Sequence, residues 1–158
     1  MRRAFIVLAV AAAGTFVAAS PGVTPPARTF SLRATLTVGQ EVPRPSATLG
    51  GRGLLTATLT PTASGATIVW RLTFTKLTGQ ATAASIRRGE PGHTGPLLAR
   101  LCAPCRSGAH GTVRVSGQPA RHAILFGETY VNVATKRNPR GEIRGQIPKV
   151  SPGYAYAG

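Results

Sequence analysis

The sequence is 158 residues long and 42% apolar, which fits one globular domain with its own core. The formal net charge of +15 favours an acidic partner, but the arginines are dispersed along the chain without stacking aromatics beside them. We therefore expect no specific binding to nucleic acid. The chain has only four acidic residues, all glutamates, so paired-carboxylate catalysis is disfavoured.

The N-terminus is typical of a signal peptide. An arginine pair precedes an uncharged apolar run over 4–17 and then a stretch of small residues. We predict a signal peptide over 1–19, cleaved after Ala19, and a linker over 20–29. The apolar run is shorter than the roughly 20 residues that span a bilayer, so we predict no transmembrane anchor and a secreted or cell-envelope location. The arginine pair leaves the choice between the general and twin-arginine export routes open.

The rest of the chain predicts a β domain over 30–148, followed by a C-terminal tail over 149–158. Apolar and polar residues alternate from Phe30 to Val38, which places one side of a strand in a core and the other in water. Further strand segments follow at 55–60, 68–75, 83–87, 97–101, 112–116, 129–135 and 142–147. Residues 119–126 favour one or two helical turns, ended by Gly127. This pattern indicates an all-β, antiparallel, Greek-key-like sandwich or barrel of seven or eight short strands.

Cys102 and Cys105 form a C-x-x-C pair and are the only two cysteines of the chain. Export places them in an oxidising compartment, so we predict a disulfide between them. The pair follows a strand segment instead of opening a helix, which disfavours thiol exchange without removing it as an alternative. A zinc site would need two further ligands, and no second cysteine pair exists.

The charged residues show no catalytic or metal-binding pattern. The three histidines share no metal-ligand spacing, and no serine or cysteine lies in a nucleophile motif. We therefore predict no enzyme activity, no metal and no cofactor. Glu41, Glu142 and Arg144 are candidates for structural ion pairs, because so few acids stand among many basic residues.

Four motifs in this segment resemble the CHRD, or chordin-type, domain family in order and spacing. They are Gly39-Gln40-Glu41-Val42-Pro43, Gly89-Glu90-Pro91-Gly92-His93-Thr94-Gly95-Pro96, Tyr130-Val131-Asn132-Val133 and Pro139-Arg140-Gly141-Glu142-Ile143-Arg144-Gly145-Gln146-Ile147. The resemblance covers about residues 30–147 and implies an exported β-sandwich module, found in bacterial secreted proteins and in chordin, an extracellular antagonist of growth factors. It implies no reaction. This chain lacks the cysteine-rich modules of chordin, so growth-factor binding is not carried over.

The chain departs from the family pattern at three histidines. Family members commonly carry His-Ile-His where this chain has Ser85-Ile86-Arg87, and a further histidine where it has Ala134. Alternate residues of a strand share a face, so the family histidines resemble a metal cluster. A degenerate metal-binding protein, or an enzyme relic of superoxide-dismutase-like architecture, is therefore one alternative function. This chain disfavours that alternative, because the side chains at the three positions end in a hydroxyl, a guanidinium and a methyl group and supply no imidazole.

The leading hypothesis is a non-enzymatic binding or structural module with an unknown extracellular or envelope ligand. Its candidate binding surface surrounds the glycine-rich loop and consists of Ser85, Arg87, Arg88, Glu90, His93 and Asn132. A further alternative is an electrostatic binder of acidic envelope polymers, which the charge alone supports. The sequence leaves the ligand and the oligomeric state open.

Overall fold

A computed structural model describes residues 28–46 and 48–150 of the chain. The predicted signal peptide and most of the predicted linker lie outside the described residues, as does the tail from residue 151 onward. Within the described residues, regular structure runs from Phe30 to Ile147.

Eight β-strands and one α-helix make up the domain. The strands are β1 (Phe30–Thr37), β2 (Arg52–Thr62), β3 (Gly65–Thr75), β4 (Ala81–Arg88), β5 (Leu97–Cys102), β6 (Ala109–Ser116), β7 (Thr129–Thr135) and β8 (Ile143–Ile147). A 3₁₀ turn, Val38–Gln40, follows β1, and the helix α1 covers Gln118–Leu125. The predicted helical segment is thus confirmed. Gly127, with φ of +78°, lies just after it.

All strand pairs are antiparallel, in the order β5-β4-β7-β8-β1-β2-β3-β6. The two outermost strands, β5 and β6, also contact each other, so the sheet curls into a nearly closed barrel. The predicted all-β antiparallel fold is therefore confirmed.

The core follows from the period-two alternation. Leu32, Ala34 and Leu36 point into the barrel from β1, and Ile68 and Trp70 do so from β3. The intervening threonines and arginines point outward, because successive side chains of a strand lie on opposite faces. Ile124 of α1 joins the same core.

The outward side of the barrel has two different halves. The outward side of β4, β7 and β8, which we call the covered face, carries Tyr130, Asn132 and Arg144, each at most 5% exposed because loops fold over them. The outward side of β1, β2, β3 and β6, which we call the bare face, leaves residues such as Arg33 and Arg71 exposed. The difference lies in the loops, since both halves belong to one sheet.

The predicted disulfide between Cys102 and Cys105 is confirmed at the end of β5. Cys105 is buried, and its backbone N–H donates to the carbonyl of Ala81 at 3.0 Å. The disulfide thus lies beside the first residue of β4, away from the glycine-rich loop at the other end of that strand.

Candidate functional site

Glu41 and Asn132 meet on the covered face. The 3₁₀ turn Val38–Gln40 redirects the chain after β1, so the Glu41 side chain reaches β7. There, Nδ2 of Asn132 donates to Oε1 of Glu41 at 3.0 Å and to Oε2 at 3.1 Å. The same nitrogen lies 3.1 Å from the carbonyl oxygen of Arg140, so one asparagine amide holds two loops against β7.

Gly141 makes room for this contact. Its φ is +150°, in the region that side chains rarely adopt. A Cβ at this position would collide with the carboxylate of Glu41 and the amide of Asn132. The loop therefore needs glycine here, because two buried polar groups occupy the space that a side chain would fill.

Arg144 and Gln146 of β8 hold the glycine-rich loop 89–96 against the sheet. The guanidinium of Arg144 stacks on the ring of Tyr130 at 3.5 Å, and its Nη2 donates to the carbonyl of Glu90 at 2.8 Å. Nε2 of Gln146 donates at 2.9 Å to two backbone carbonyls, one in this loop and one in the turn before β7. Because the acceptors are backbone carbonyls, the base of the loop is fixed whatever side chains its tip carries.

Glu142 is a buried hydrogen-bond acceptor at another edge of the covered face. Its Oε1 accepts from the backbone N–H of Thr78 at 2.7 Å, and its Oε2 accepts from the hydroxyls of Thr78 and Thr135 at 2.6 and 2.7 Å. Burial acts to raise the pKa of Glu142, but the hydrogen bonds from Thr78, Thr135 and Asn138 together outweigh burial and lower it. Glu142 thus joins the 76–80 loop to β7 as a carboxylate.

Hydrogen bonds replace the ion pairs predicted for Glu41, Glu142 and Arg144. Among the residues that the structure describes, every acid–base pair within 4.0 Å involves Glu128, on the rim of the domain. An amide and hydroxyls satisfy the two buried carboxylates without a second charged group in contact, which avoids a second desolvation cost.

A cleft of about 400 Å³ opens between the loops and the covered face. This volume is in the range of small-ligand sites. The cleft is lined by Glu41, Val42, Pro43, Arg87, Thr94, Tyr130, Asn132, Pro139 and Arg140. Arg87 is held in place because its Nε donates to the carbonyl of Gly95 at 3.1 Å. Within the described residues, neither Arg87 nor Arg140 has a carboxylate within 4.0 Å, so both guanidinium groups are available to an anion.

Burial changes the acidity of Glu41 inside this cleft. The residue is 4% exposed, and desolvation raises the pKa of its carboxyl group to about 7. The backbone N–H of Val42, the charges of Arg144 and Arg87 and the amide of Asn132 oppose this rise without cancelling it. The charge at the floor of the cleft therefore changes near neutral pH.

Arg87 and Asn132, two of the six residues of the predicted binding surface, line the cleft. Ser85 lies directly across from Asn132 in the pairing of β4 with β7. The structure therefore brings these three residues together on the covered face.

Arg88, Glu90 and His93, the other three, lie outside the cleft lining. Arg88 points to the rim, where its Nη2 lies 3.4 Å from Oε2 of Glu128. The side chain of Glu90 is exposed and only its carbonyl joins the network, while His93 sits on the exposed tip of the loop.

Sequence reasoning missed Glu41, Tyr130 and Arg140 as cleft residues. Each of them lies in one of the four motifs quoted above, which was a usable signal. The sequence does not show that all four of these motifs converge on one cleft, because that depends on loops folding back over β7.

The three positions at which family members carry histidine share the covered side of the sheet. Ser85 and Arg87 of β4 pair with Asn132 and Tyr130 of β7, and Ala134 is the next outward residue of β7. In the described part of the chain, no group of three histidine, cysteine or acidic side chains is placed to hold a metal ion.

The fold and the cleft define a small antiparallel β-barrel module with a ligand-sized, arginine-flanked cleft on its loop-covered side. A comparison with protein families matches residues 32–147 to the CHRD domain, and the chain belongs to the CHRD domain family. This family indicates an extracellular binding or structural module. Searches of curated proteins and of solved structures found no match. Across the described residues, no helix has the length and apolar character needed to cross a bilayer.

Proposed function

We propose that this CHRD domain is a non-enzymatic, exported binding module whose cleft takes a small polar ligand with an anionic group. One observation carries the proposal: Arg87 and Arg140 flank a cleft of about 400 Å³, and neither has a carboxylate within 4.0 Å in the described chain. An unpaired guanidinium is a fitting partner for a carboxylate or phosphate, since its N–H groups bind two oxygens at once.

The polar groups around the two arginines supply further contacts. Asn132 and Tyr130 are held in the sheet, and Thr94 lines the loop side of the cleft. Such groups can hydrogen-bond to hydroxyls of a ligand while the arginines bind its charged end. A molecule of the size and chemistry of an acidic sugar fits this description.

The cleft argues for binding instead of catalysis. A carboxyl group with a pKa of about 7, such as that of Glu41, is suited to general acid–base chemistry. However, both oxygens of Glu41 already accept hydrogen bonds from Asn132. The cleft lining contains no histidine, no cysteine and no second carboxylate to act with it. We therefore assign Glu41 to the shape and charge of the site.

Glucuronate tests this proposal, with uncharged glucose as the matched probe. In two-dimensional amide NMR titrations, we expect saturable shifts from glucuronate at Glu41, Thr94 and Asn132, and none from glucose. The double variant Arg87→Gln with Arg140→Gln should weaken glucuronate binding about tenfold, since it removes two charge-assisted contacts.

The double variant Arg28→Gln with Arg106→Gln is the control, because both arginines are exposed, lie outside the cleft and give the same change in net charge. It should bind glucuronate within about twofold of the unmodified chain, since distant exposed charges are screened. Shifts that map elsewhere on the domain, or equal losses in the two double variants, would remove the cleft as the binding site.

A further inference from the structure

The bare face gathers basic residues that are far apart in the sequence. The strand register aligns Arg33 of β1, Thr56 of β2, Arg71 of β3 and His110 of β6 in one row across the sheet. The arginines that the bare face exposes are Arg33, Arg52, Arg71 and Arg114. Dispersion along the sequence therefore becomes a cluster in space, because β1, β2 and β3 pair in succession and β6 adds to the edge of β3.

No acidic residue belongs to any of these four strands. The four glutamates of the chain are Glu41, Glu90, Glu128 and Glu142, and all of them lie in loops around β4, β7 and β8. The described domain thus has a strongly basic side and a side where all its acids are found. The arginines of the bare face have no carboxylate within 4.0 Å in the described structure.

Hydroxyl groups fill the space between these arginines. The row next to Arg33 and Arg71 consists of Ser31, Thr58, Val69 and Thr112, in register on the same four strands. A shallow groove of about 580 Å³ runs between Arg33 and Arg71 over the threonines of β2. Three members of this row carry hydroxyls that donate and accept hydrogen bonds, and the fourth, Val69, adds a 54% exposed apolar side chain.

The spacing of the cations suits an extended ligand. Neighbouring strands lie about 5 Å apart and alternate residues of a strand about 7 Å apart. The bases of the Arg33 and Arg71 side chains, two strands apart in one row, are therefore separated by about 10 Å. A linear polymer with repeated negative charges can contact cations at this spacing along its length, whether or not the flexible guanidinium groups also converge on one charge.

We propose that the bare face binds an acidic polysaccharide, with the arginines contacting its carboxylate or sulfate groups and the serine and threonine hydroxyls contacting its sugar hydroxyls. This surface is separate from the cleft, since the two lie on different halves of the barrel. The chemistry of the face favours polysaccharide over nucleic acid, because bases bind by stacking on exposed aromatic rings. Trp70 is 4% exposed and points into the core, and the row beside it offers hydroxyls instead of rings.

Polygalacturonate is the test probe for the full chain, with neutral dextran and single-stranded polythymidylate as comparisons. At low salt we expect the chain to bind polygalacturonate and not dextran, with affinity that falls as salt rises. The triple variant Arg33→Gln, Arg71→Gln and Arg114→Gln should lose about tenfold in affinity, since three charge contacts of modest strength are removed together.

A matched triple variant provides the control: Arg100→Gln, Arg106→Gln and Arg137→Gln remove the same charge from exposed positions outside the bare face. It should stay within about threefold of the unmodified chain, because the long-range field alone is screened. Both triple variants should keep the circular dichroism spectrum and unfolding temperature of the parent. Equal losses in the two variants, or tighter binding to polythymidylate than to polygalacturonate, would overturn the proposal. So would a loss of polymer binding of the same size in the Arg87→Gln, Arg140→Gln cleft variant.

Discussion

The covered face and the bare face belong to one sheet and have opposite relations to water. On the covered face, Asn132 and Arg144 are buried and bonded to loops. On the bare face, Arg33 and Arg71 occupy equivalent outward positions but are exposed, and neither has a carboxylate within 4.0 Å in the described domain. The comparison shows that an outward strand position is not by itself a surface position. An outward side chain is buried where a loop folds back over its strand, and exposed where no loop does.

Gly141→Ala should have the largest effect on stability, because it disrupts the packing of the loops over the covered face. The new Cβ would collide with Glu41 and Asn132, and the backbone would remain in a conformation that alanine rarely adopts. We expect a loss of about 4 kcal/mol in the free energy of unfolding, measured by urea denaturation. Gly79→Ala is the control, since no atom lies within 4 Å of its added Cβ, and its stability should change little. Similar stability in the two variants would show that the loop does not depend on this packing.

Arg144→Ala should have the next largest effect, and Arg33→Ala on the bare face is its matched control. Removing Arg144 deletes the contact with Tyr130 and the charged donor to the carbonyl of Glu90, which keeps only its hydrogen bond from the N–H of His93. We expect a loss of about 3 kcal/mol, together with faster amide hydrogen exchange in the loop 89–96. Arg33→Ala should cost less than about 0.5 kcal/mol, as exposed substitutions do. A comparable cost at the two positions would contradict the division of the barrel into two halves.

The pH dependence of the free energy of unfolding also distinguishes the two faces, because the strands of the bare face carry no glutamate whose titration could change it. The pKa of Glu41 in the folded chain, about 7, lies above its ordinary value of 4.5, so the folded state holds this proton more tightly than the unfolded state. Its contribution is fully present below pH 4.5 and is lost as pH rises through 7. Between pH 5 and 8 the loss is on the order of 2 kcal/mol.

The variant Glu41→Gln should remove this slope, since a neutral amide does not titrate. Glu142 acts with the opposite sign, because its pKa is lowered, and its contribution is lost as pH falls through that lowered pKa in the acid range. Denaturant midpoints measured across pH 5–8 separate the two groups. An unchanged slope in Glu41→Gln would assign the effect to another group.

Much of the fold was predictable from local pattern. The alternation from Phe30 to Val38 and around Trp70 fixed which residues point inward, and the structure buries them as expected. The Cys102–Cys105 disulfide and the helix after Gly117 were likewise predicted from short segments of the sequence, and the structure contains both.

The site was predictable only in part, because its contacts join distant segments. Arg87 and Asn132 were identified, yet Glu41 was assigned to an ion pair, whereas its partner is an amide 91 residues away. Charge counting favoured arginine as the partner of a buried glutamate, but it takes no account of the cost of desolvating a second ion. The basic cluster was missed for a related reason, since only the strand order places Arg33 and Arg71 together.

The hydrogen bond from Arg87 to Gly95 also has an entropic consequence. Nε of Arg87 is bound to the loop, and the N–H of Gly95 lies 3.4 Å from the hydroxyl of Tyr130, so this guanidinium is oriented before any ligand arrives. An anion entering the cleft therefore loses little affinity to the ordering of this side chain. Each arginine of the bare face, by contrast, gives up about 0.5–1.5 kcal/mol of rotamer freedom when a ligand immobilises it. Ordering therefore costs less at Arg87 of the cleft than at an arginine of the bare face, where each side chain is immobilised separately.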